Sequence, residues 1–177
     1  MSELEIRATG ELRSNGRTLY GHAARFNSEA NLGHFVEIIR PGAFRKSLDA
    51  GTNVRALYDH ESSALLGTTR GGTLKLKEDA QGLAFELALP STTHGNDLAI
   101  LVDRGDVSAC SFGFKVRDGG ERWELRGAQT VRELLDVELY EITLTANPAY
   151  PDPSVAMRNK PVLDIKVRDL GHGILWL

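Results

Sequence analysis

The chain has 177 residues, 41% of them hydrophobic and 25% charged, which is the balance of one globular domain with a buried core and excludes gross disorder. A formal net charge of -3 argues against nucleic acid as the main partner, because phosphate binding normally requires a basic excess. The longest purely apolar run, residues 98–102, is too short to cross a membrane, and the charged N-terminus lacks the apolar stretch of a signal peptide. We therefore expect a soluble, cytosolic protein without a membrane partner.

Short strands dominate the first half of the chain. Leu4, Ile6 and Ala8 alternate with charged neighbours, which predicts a strand, and residues 17–26 follow as its hairpin partner. Residues 53–60 predict a further strand ending at His60. Residues 73–90 read as a second hairpin, whose two alternating runs are joined through residues 79–82.

Two helices are predicted. Residues 43–50 follow Pro41 and Gly42, and their apolar side chains recur four residues apart, which indicates a short amphipathic helix. Residues 91–106 predict a longer helix with Leu98, Leu101 and Val102 on one face. Its N-cap is Ser91, Thr92 or Thr93, and it ends at Gly105.

The remaining elements are again strands. Residues 107–116 predict a strand, residues 117–127 a polar hairpin-like region, and residues 131–145 one long strand or two consecutive strands before Pro148 and Pro151. The predicted fold class is therefore mainly β with peripheral helices, an antiparallel sheet or barrel.

A serine stands in unusually open surroundings in the segment "SACSFGF", residues 108–114. Because successive side chains of a strand point to opposite faces, Cys110 shares a core face with the two phenylalanines. Ser111 then lies between alanine and glycine on a face with little side-chain bulk, where another backbone could approach. Ser111 is therefore a better nucleophile candidate than Ser108, the other serine of the segment. A strand packed beneath a loop would show the same pattern. Cys110 competes as a nucleophile, but its place on the core face predicts a buried and inert thiol.

A serine nucleophile needs a base, and histidine is the usual one because its pKa lies near neutrality. His60 is the leading candidate, since alternation places it on one face with Ala56 and Tyr58 at the end of an apolar strand. Its neighbour Asp59 is a poor orienting partner, because adjacent strand residues point in opposite directions. A structural or exposed histidine is the alternative.

Glu141 is the candidate third member. Alternation places it on one face with Val137 and Leu139, and a carboxylate among apolar neighbours is costly unless it is paired. It could orient a histidine, face solvent or pair with an arginine, and Glu138 competes with it for the orienting role.

No metal or other cofactor is predicted. Cys110 is the only cysteine, which excludes an internal disulfide and a multi-cysteine zinc site. None of the five histidines forms an i, i+4 pair or a zinc-binding motif.

Four ordered segments resemble one known family: "GHAARFN" with "FVEIIRPGAFRKSL", then "YDHESSALLGTT", "RGDVSACSFGFKV" and "LYEITLTANPAYPDPSV". This order resembles the prohead proteases of tailed bacteriophages, which are related in fold to the herpesvirus assemblins, over roughly residues 19–157. The resemblance implies a protease domain over residues 1–157 and leaves residues 158–177 as a C-terminal tail of unknown role. It also implies a small closed or nearly closed antiparallel β-barrel with surrounding helices.

The resemblance further implies a serine endopeptidase whose histidine is His60, whose serine is Ser111 and whose acid is Glu141, with Glu138 still open. The implied substrates are the scaffolding part of the major capsid protein and the protease itself, cleaved inside the procapsid in the host cytoplasm. Self-association into a homo-oligomer is a further implication. Two other hypotheses remain: a catalytically inactive barrel that assists capsid assembly, and a β-rich ligand-binding module.

Overall fold

The computed structural model describes the backbone of residues 3–146 and the side chains of all of these except residues 9–11. An eight-stranded sheet forms the body of this part of the chain. Its strands are, in spatial order, β6 (Glu61–Thr68), β5 (Arg55–Tyr58), β12 (Val137–Thr145), β9 (Ala109–Val116), β1 (Glu5–Asn15), β2 (Thr18–Arg25), β8 (Gly82–Ala88) and β7 (Leu74–Glu78). Neighbouring strands are antiparallel except for the parallel pair β5 and β12. Both predicted hairpins, β1–β2 and β7–β8, are present.

A four-stranded sheet packs beside the first. Its order is β10 (Glu121–Arg126), β11 (Gln129–Leu134), β4 (Val36–Ile39) and β3 (Glu29–Asn31). The segment 131–145 therefore forms two consecutive strands in different sheets. The chain turns between them against Gly120, where an added Cβ would lie 2.1 Å from the carbonyl oxygen of Asp136, so only glycine fits.

Both predicted helices are present, in shorter form. Helix α1 covers Arg45–Asp49, and helix α2 covers Thr93–Arg104. The N-cap of α2 is Thr92, whose side-chain oxygen accepts a hydrogen bond from the Gly95 N–H, and Gly105 ends the helix with a left-handed φ of 82°. Neither described helix has the length and hydrophobicity that crossing a bilayer requires.

One apolar cluster holds the large sheet and the helices together. Its fully buried centre is a chain of aromatic contacts, with Phe44 packed edge-on against Phe112 at 5.5 Å and Phe112 stacked on Phe114 at 5.2 Å. Cys110 lies in the same cluster, as alternation along β9 predicts. The face of the sheet that bears this cluster is called the core face below, and the opposite face the site face.

The mainly β architecture with peripheral helices is confirmed, but a closed barrel is not seen. Within residues 3–146 the large sheet has two edges, β6 and β7, and no backbone ladder joins them. The two ends of the sheet touch through side chains and a turn. Thr73 Oγ1 accepts a hydrogen bond from the Thr68 N–H, while the Thr73 carbonyl is used by the Ala88 N–H. The parallel pairing of β5 with β12 also departs from the antiparallel arrangement that the resemblance implies.

The start of strand β1 buries charged residues. Leu4, just before the strand, is 43% exposed, whereas Glu5 and Arg7 are buried. They meet Glu37 and Arg132 of the small sheet in a network of ion pairs 2.6–3.0 Å long. Burial alone raises the pKa of Glu5, but hydrogen bonds and charges from the two arginines outweigh it and hold that pKa below its ordinary value. The network joins the two sheets.

The predicted boundary between residues 157 and 158, the tail 158–177, Pro148 and Pro151 all lie outside the described residues.

Candidate active site

Strand β9 carries Ser111 on the site face, opposite the core. Its neighbours across the two ladders are Ala8 of β1 and Thr143 of β12. Cys110 and Phe112, the residues on either side of Ser111, are fully buried in the core cluster. The alternation predicted from the sequence therefore holds along this stretch of β9.

A two-residue turn carries His60. Asp59 and His60 connect β5 to β6, and both have positive φ angles, 50° and 61°, as a type I′ hairpin turn requires. The Asp59 N–H donates to the carbonyl of Leu144, and the Asp59 carboxylate accepts a 2.8 Å hydrogen bond from the Thr145 hydroxyl. These two bonds tie the turn to the end of β12. The prediction that His60 continues the face of Ala56 and Tyr58 is wrong, because a turn residue does not follow strand alternation.

Ser111 and His60 are in direct contact. Ser111 Oγ lies 3.0 Å from His60 Nε2, within hydrogen-bonding distance, although the two residues are 51 positions apart. Ser111 can donate its proton to Nε2 only when the neutral ring carries its hydrogen on Nδ1; in the other tautomer the ring donates to Ser111 Oγ. The His60 side chain is 24% exposed.

Glu141 reaches the same face through a β-bulge. Leu139 of β12 pairs with Phe114, but Glu141 pairs with the next residue, Gly113, so Tyr140 is an extra residue in the ladder. The bulge shifts the alternation by one residue, which leaves Val137 and Leu139 in the core and brings Glu141 onto the site face. The prediction that Glu141 shares a face with Val137 and Leu139 is therefore wrong.

Glu141 lies between His60 and an arginine. Its Oε1 is 3.5 Å from His60 Nδ1, and its Oε2 accepts a 3.0 Å hydrogen bond from Arg55 Nη2. Among the described residues, the buried Nδ1 has no hydrogen-bond partner, and a small movement of Oε1 toward it would form a hydrogen bond. Glu138, the competing acid, accepts a hydrogen bond from the Tyr140 hydroxyl instead. The structure thus brings together Ser111, His60 and Glu141.

Gly113 makes room for the carboxylate. A Cβ at this position would lie 2.9 Å from Glu141 Cγ, closer than ordinary contact, and 3.4 Å from Cδ. The glycine beside the serine therefore has a specific neighbour, the side chain of Glu141.

Cys110 is buried on the other side of the strand. It has no exposed surface, and burial raises the pKa of its thiol to about 12. The thiol is protonated at neutral pH and faces away from His60, which confirms the prediction that the cysteine is buried; that it is inert stays a prediction.

The three residues form a small polar cluster with little surface. Ser111 has no exposed surface, and Glu141 is 5% exposed. Access of a peptide carbonyl to Ser111 Oγ therefore requires a local opening over the site face. In the described part of the chain, no group of three or more His, Cys, Asp or Glu side chains is arranged to hold a metal ion.

Comparison with known families identifies the chain. The profile of the caudovirus prohead serine proteases matches residues 2–166, which is most of the sequence. The chain belongs to the caudovirus prohead serine protease family. This places it among the capsid maturation proteases of tailed bacteriophages, as the ordered segments of the sequence indicated. A search of curated proteins gave no significant match.

A solved structure shares the fold of this prohead protease. It is described as the bacteriophage T4 capsid assembly protease, gp21, and it superposes with a TM-score of 0.57 over 82% of this chain and 98% of its own. The two sequences are only 8% identical, so the likeness concerns the fold.

Sequence reasoning did not identify Arg55 and Thr143 as neighbours of the site. Arg55 faces Glu141 across the parallel ladder of β5 and β12, and Thr143 faces Ser111 across the ladder of β12 and β9. The only available signal was the general possibility that a buried glutamate pairs with an arginine. Cross-strand partners cannot be read from the sequence of one strand.

Proposed function

We propose that this prohead protease is a serine endopeptidase with Ser111 as nucleophile, His60 as general base and Glu141 as the residue that orients the histidine. The observation that carries the proposal is the 3.0 Å contact between Ser111 Oγ and His60 Nε2, with the Glu141 carboxylate on the far side of the same ring. Three residues from distant parts of the sequence meet in the order that acyl transfer requires.

Each residue has one step to perform. Ser111 Oγ attacks the scissile carbonyl while its proton passes to His60 Nε2, and the imidazolium later returns that proton to the leaving amine. Glu141 holds the Nδ1 proton and stabilises the positive ring, so its 3.5 Å distance from Nδ1 shortens as charge develops. Water then releases the acyl group by the same route. Proton transfer of this kind contributes about 10²- to 10⁴-fold to a rate.

Arg55 supports the assignment of Glu141 over Glu138. A carboxylate that is almost buried needs a partner, and Arg55 supplies one to Oε2 while Oε1 faces His60. Glu138 is already bonded to Tyr140 and is not placed beside the imidazole.

The proposed substrates are the scaffolding part of the major capsid protein and the protease itself. Family membership supports this assignment, because a prohead protease acts while the capsid is immature. The reaction would take place inside the procapsid, in the cytoplasm of the host bacterium, where removal of scaffold makes room for DNA. The site would act without a cofactor, and self-association of the protease is part of the same proposal.

Co-expression tests this function. The chain is produced together with the major capsid protein that carries its scaffolding segment, and cleavage is followed by mass spectrometry. We expect cleavage with the unaltered chain and none with Ser111→Ala, which preserves the buried strand. Cleavage that persists in Ser111→Ala would overturn the assignment of the nucleophile. A folded chain that cleaves neither the capsid protein nor itself would support the inactive assembly protein, the alternative function.

A further inference from the structure

Thr143 lies directly beside the proposed nucleophile. It occupies the centre of β12, between β9 and β5, and its ladder partners are Ser111 on one side and Leu57 on the other. Its side chain is on the site face, because Ile142 and Leu144 on either side point into the core cluster. Paired residues on one face of a sheet have their Cβ atoms about 5 Å apart, so the two hydroxyl-bearing side chains are direct neighbours.

The hydroxyl of Thr143 is buried without a partner. Thr143 has no exposed surface, and among the described residues its Oγ1 makes no hydrogen bond. A buried hydroxyl without a partner is destabilising, and valine would fill the same volume without that cost. Thr145, two residues further along the same face, uses its hydroxyl to hold Asp59. The Thr143 hydroxyl thus has no structural bond in this part of the chain.

When Ser111 donates its proton to His60 Nε2, no described residue donates a hydrogen bond to Ser111 Oγ. A serine oxygen has one proton and two lone pairs. One lone pair attacks the substrate carbonyl. The other is free to accept a hydrogen bond, which would fix the rotation of the Cβ–Oγ bond and hold the attacking lone pair in line.

We propose that Thr143 is a positioning residue for Ser111, and that its hydroxyl donates a hydrogen bond to Ser111 Oγ in the reacting state. The proposal rests on the serine-protease function above. The bond is not formed in this structure, and rotation of the Thr143 side chain between its staggered conformers is the movement that forms it. The cost of the unpartnered hydroxyl in the closed site is then offset when the site reacts.

The test compares two replacements at one position. Thr143→Val keeps the shape and removes the hydroxyl, whereas Thr143→Ser keeps the hydroxyl and removes a methyl group. Thr130→Val, a buried threonine of β11 in the small sheet, serves as the matched control. The full chain of each variant is treated with a fluorophosphonate, and the rate constant for labelling of Ser111 is measured together with the melting temperature.

We expect Thr143→Val to label about tenfold more slowly, the value of one hydrogen bond, without a lower melting temperature. Thr143→Ser should label within about threefold of the unaltered chain even if it melts earlier, since the hydroxyl is retained. Thr130→Val should label normally.

Three outcomes would overturn the inference. Thr143→Val that labels at the unaltered rate would show that the hydroxyl has no role, while labelling of the unaltered chain would still support the proposed function. If the labelling rate and the melting temperature decrease together in both Thr143 variants, Thr143 acts through packing and not through its hydroxyl. No labelling of the folded, unaltered chain at any protein concentration would overturn the proposed function, and this inference with it.

Discussion

Replacement of Gly113 by alanine tests whether Glu141 acts through His60. The new methyl group would lie 2.9 Å from Glu141 Cγ and 3.4 Å from Cδ, against an ordinary contact of 3.4–4 Å. The Glu141 side chain must therefore move by about 0.5–1 Å, which is the scale on which a misplaced catalytic group costs about 100-fold in rate. We expect Gly113→Ala to label with a fluorophosphonate about 10- to 100-fold more slowly than the unaltered chain.

The stability of Gly113→Ala should change little by comparison. Alanine in a strand is favoured over glycine by about 0.5–1 kcal/mol, whereas overpacking costs about 1–3 kcal/mol. The net loss of at most about 2.5 kcal/mol leaves the chain folded at 25 °C, because it lowers the melting temperature by only about 5–10 °C. Circular dichroism during heating checks this directly, so a loss of labelling can be separated from unfolding.

A double-mutant cycle provides the decisive comparison. Glu141→Ala removes Cγ and the carboxylate, so the added methyl group of Gly113→Ala then has nothing to displace. The two changes together should label as slowly as Glu141→Ala alone. Glu141 does not act as proposed if Gly113→Ala labels normally, or if Gly113→Ala slows labelling by the same factor whether or not Glu141 is present.

Three further predictions follow from the same structure. Arg55→Met should slow labelling of Ser111 by about tenfold, because Glu141 loses its 3.0 Å partner. Arg55→Lys should recover part of the rate. Equal labelling rates in both variants and the unaltered chain would contradict the role of Arg55. Cys110 should resist iodoacetamide in the folded chain and react only on unfolding, because it is buried and its thiol pKa is raised to about 12; rapid alkylation by intact-mass analysis would contradict this. The pKa of Glu5 is lowered from its ordinary value of 4.5, so its contribution to stability is complete above that pH and is lost as the pH falls through the lower folded value. The free energy of unfolding from urea titrations should therefore fall less steeply with decreasing pH below about pH 4.5 in Glu5→Gln than in the unaltered chain. The same pH dependence of this free energy in both chains would contradict the stabilising role of the network.

Local patterns predicted the elements of the fold well. Both hairpins, both helices and the two faces of β9 follow from alternation, spacing and turn residues, because these signals depend on near neighbours in the chain. The pairing of β12 with β5 on one side and β9 on the other joins segments about 86 and 30 residues away, and no local pattern encodes it. The burial of the charged residues of β1 could not be predicted for the same reason, since their partners lie on β4 and β11.

Alternation misplaced two of the three site residues for identifiable reasons. His60 lies in a turn with positive φ, where strand alternation has ended. Glu141 follows the bulge at Tyr140, which reverses the alternation along β12. His60 nevertheless contacts Ser111, and Glu141 contacts His60. Strand periodicity is reliable only over a stretch without a bulge or turn, and β9 around Ser111 is such a stretch.

The most direct test of the central claim is to locate the adduct that a fluorophosphonate leaves on the full chain. The concentrated protein is incubated with the probe, digested and analysed by mass spectrometry, with His60→Ala as the control. We predict one adduct, on Ser111, that disappears in His60→Ala, since Oγ is activated through its 3.0 Å contact with Nε2. An adduct on Ser108 or Cys110, or labelling of Ser111 that does not depend on His60, would contradict it.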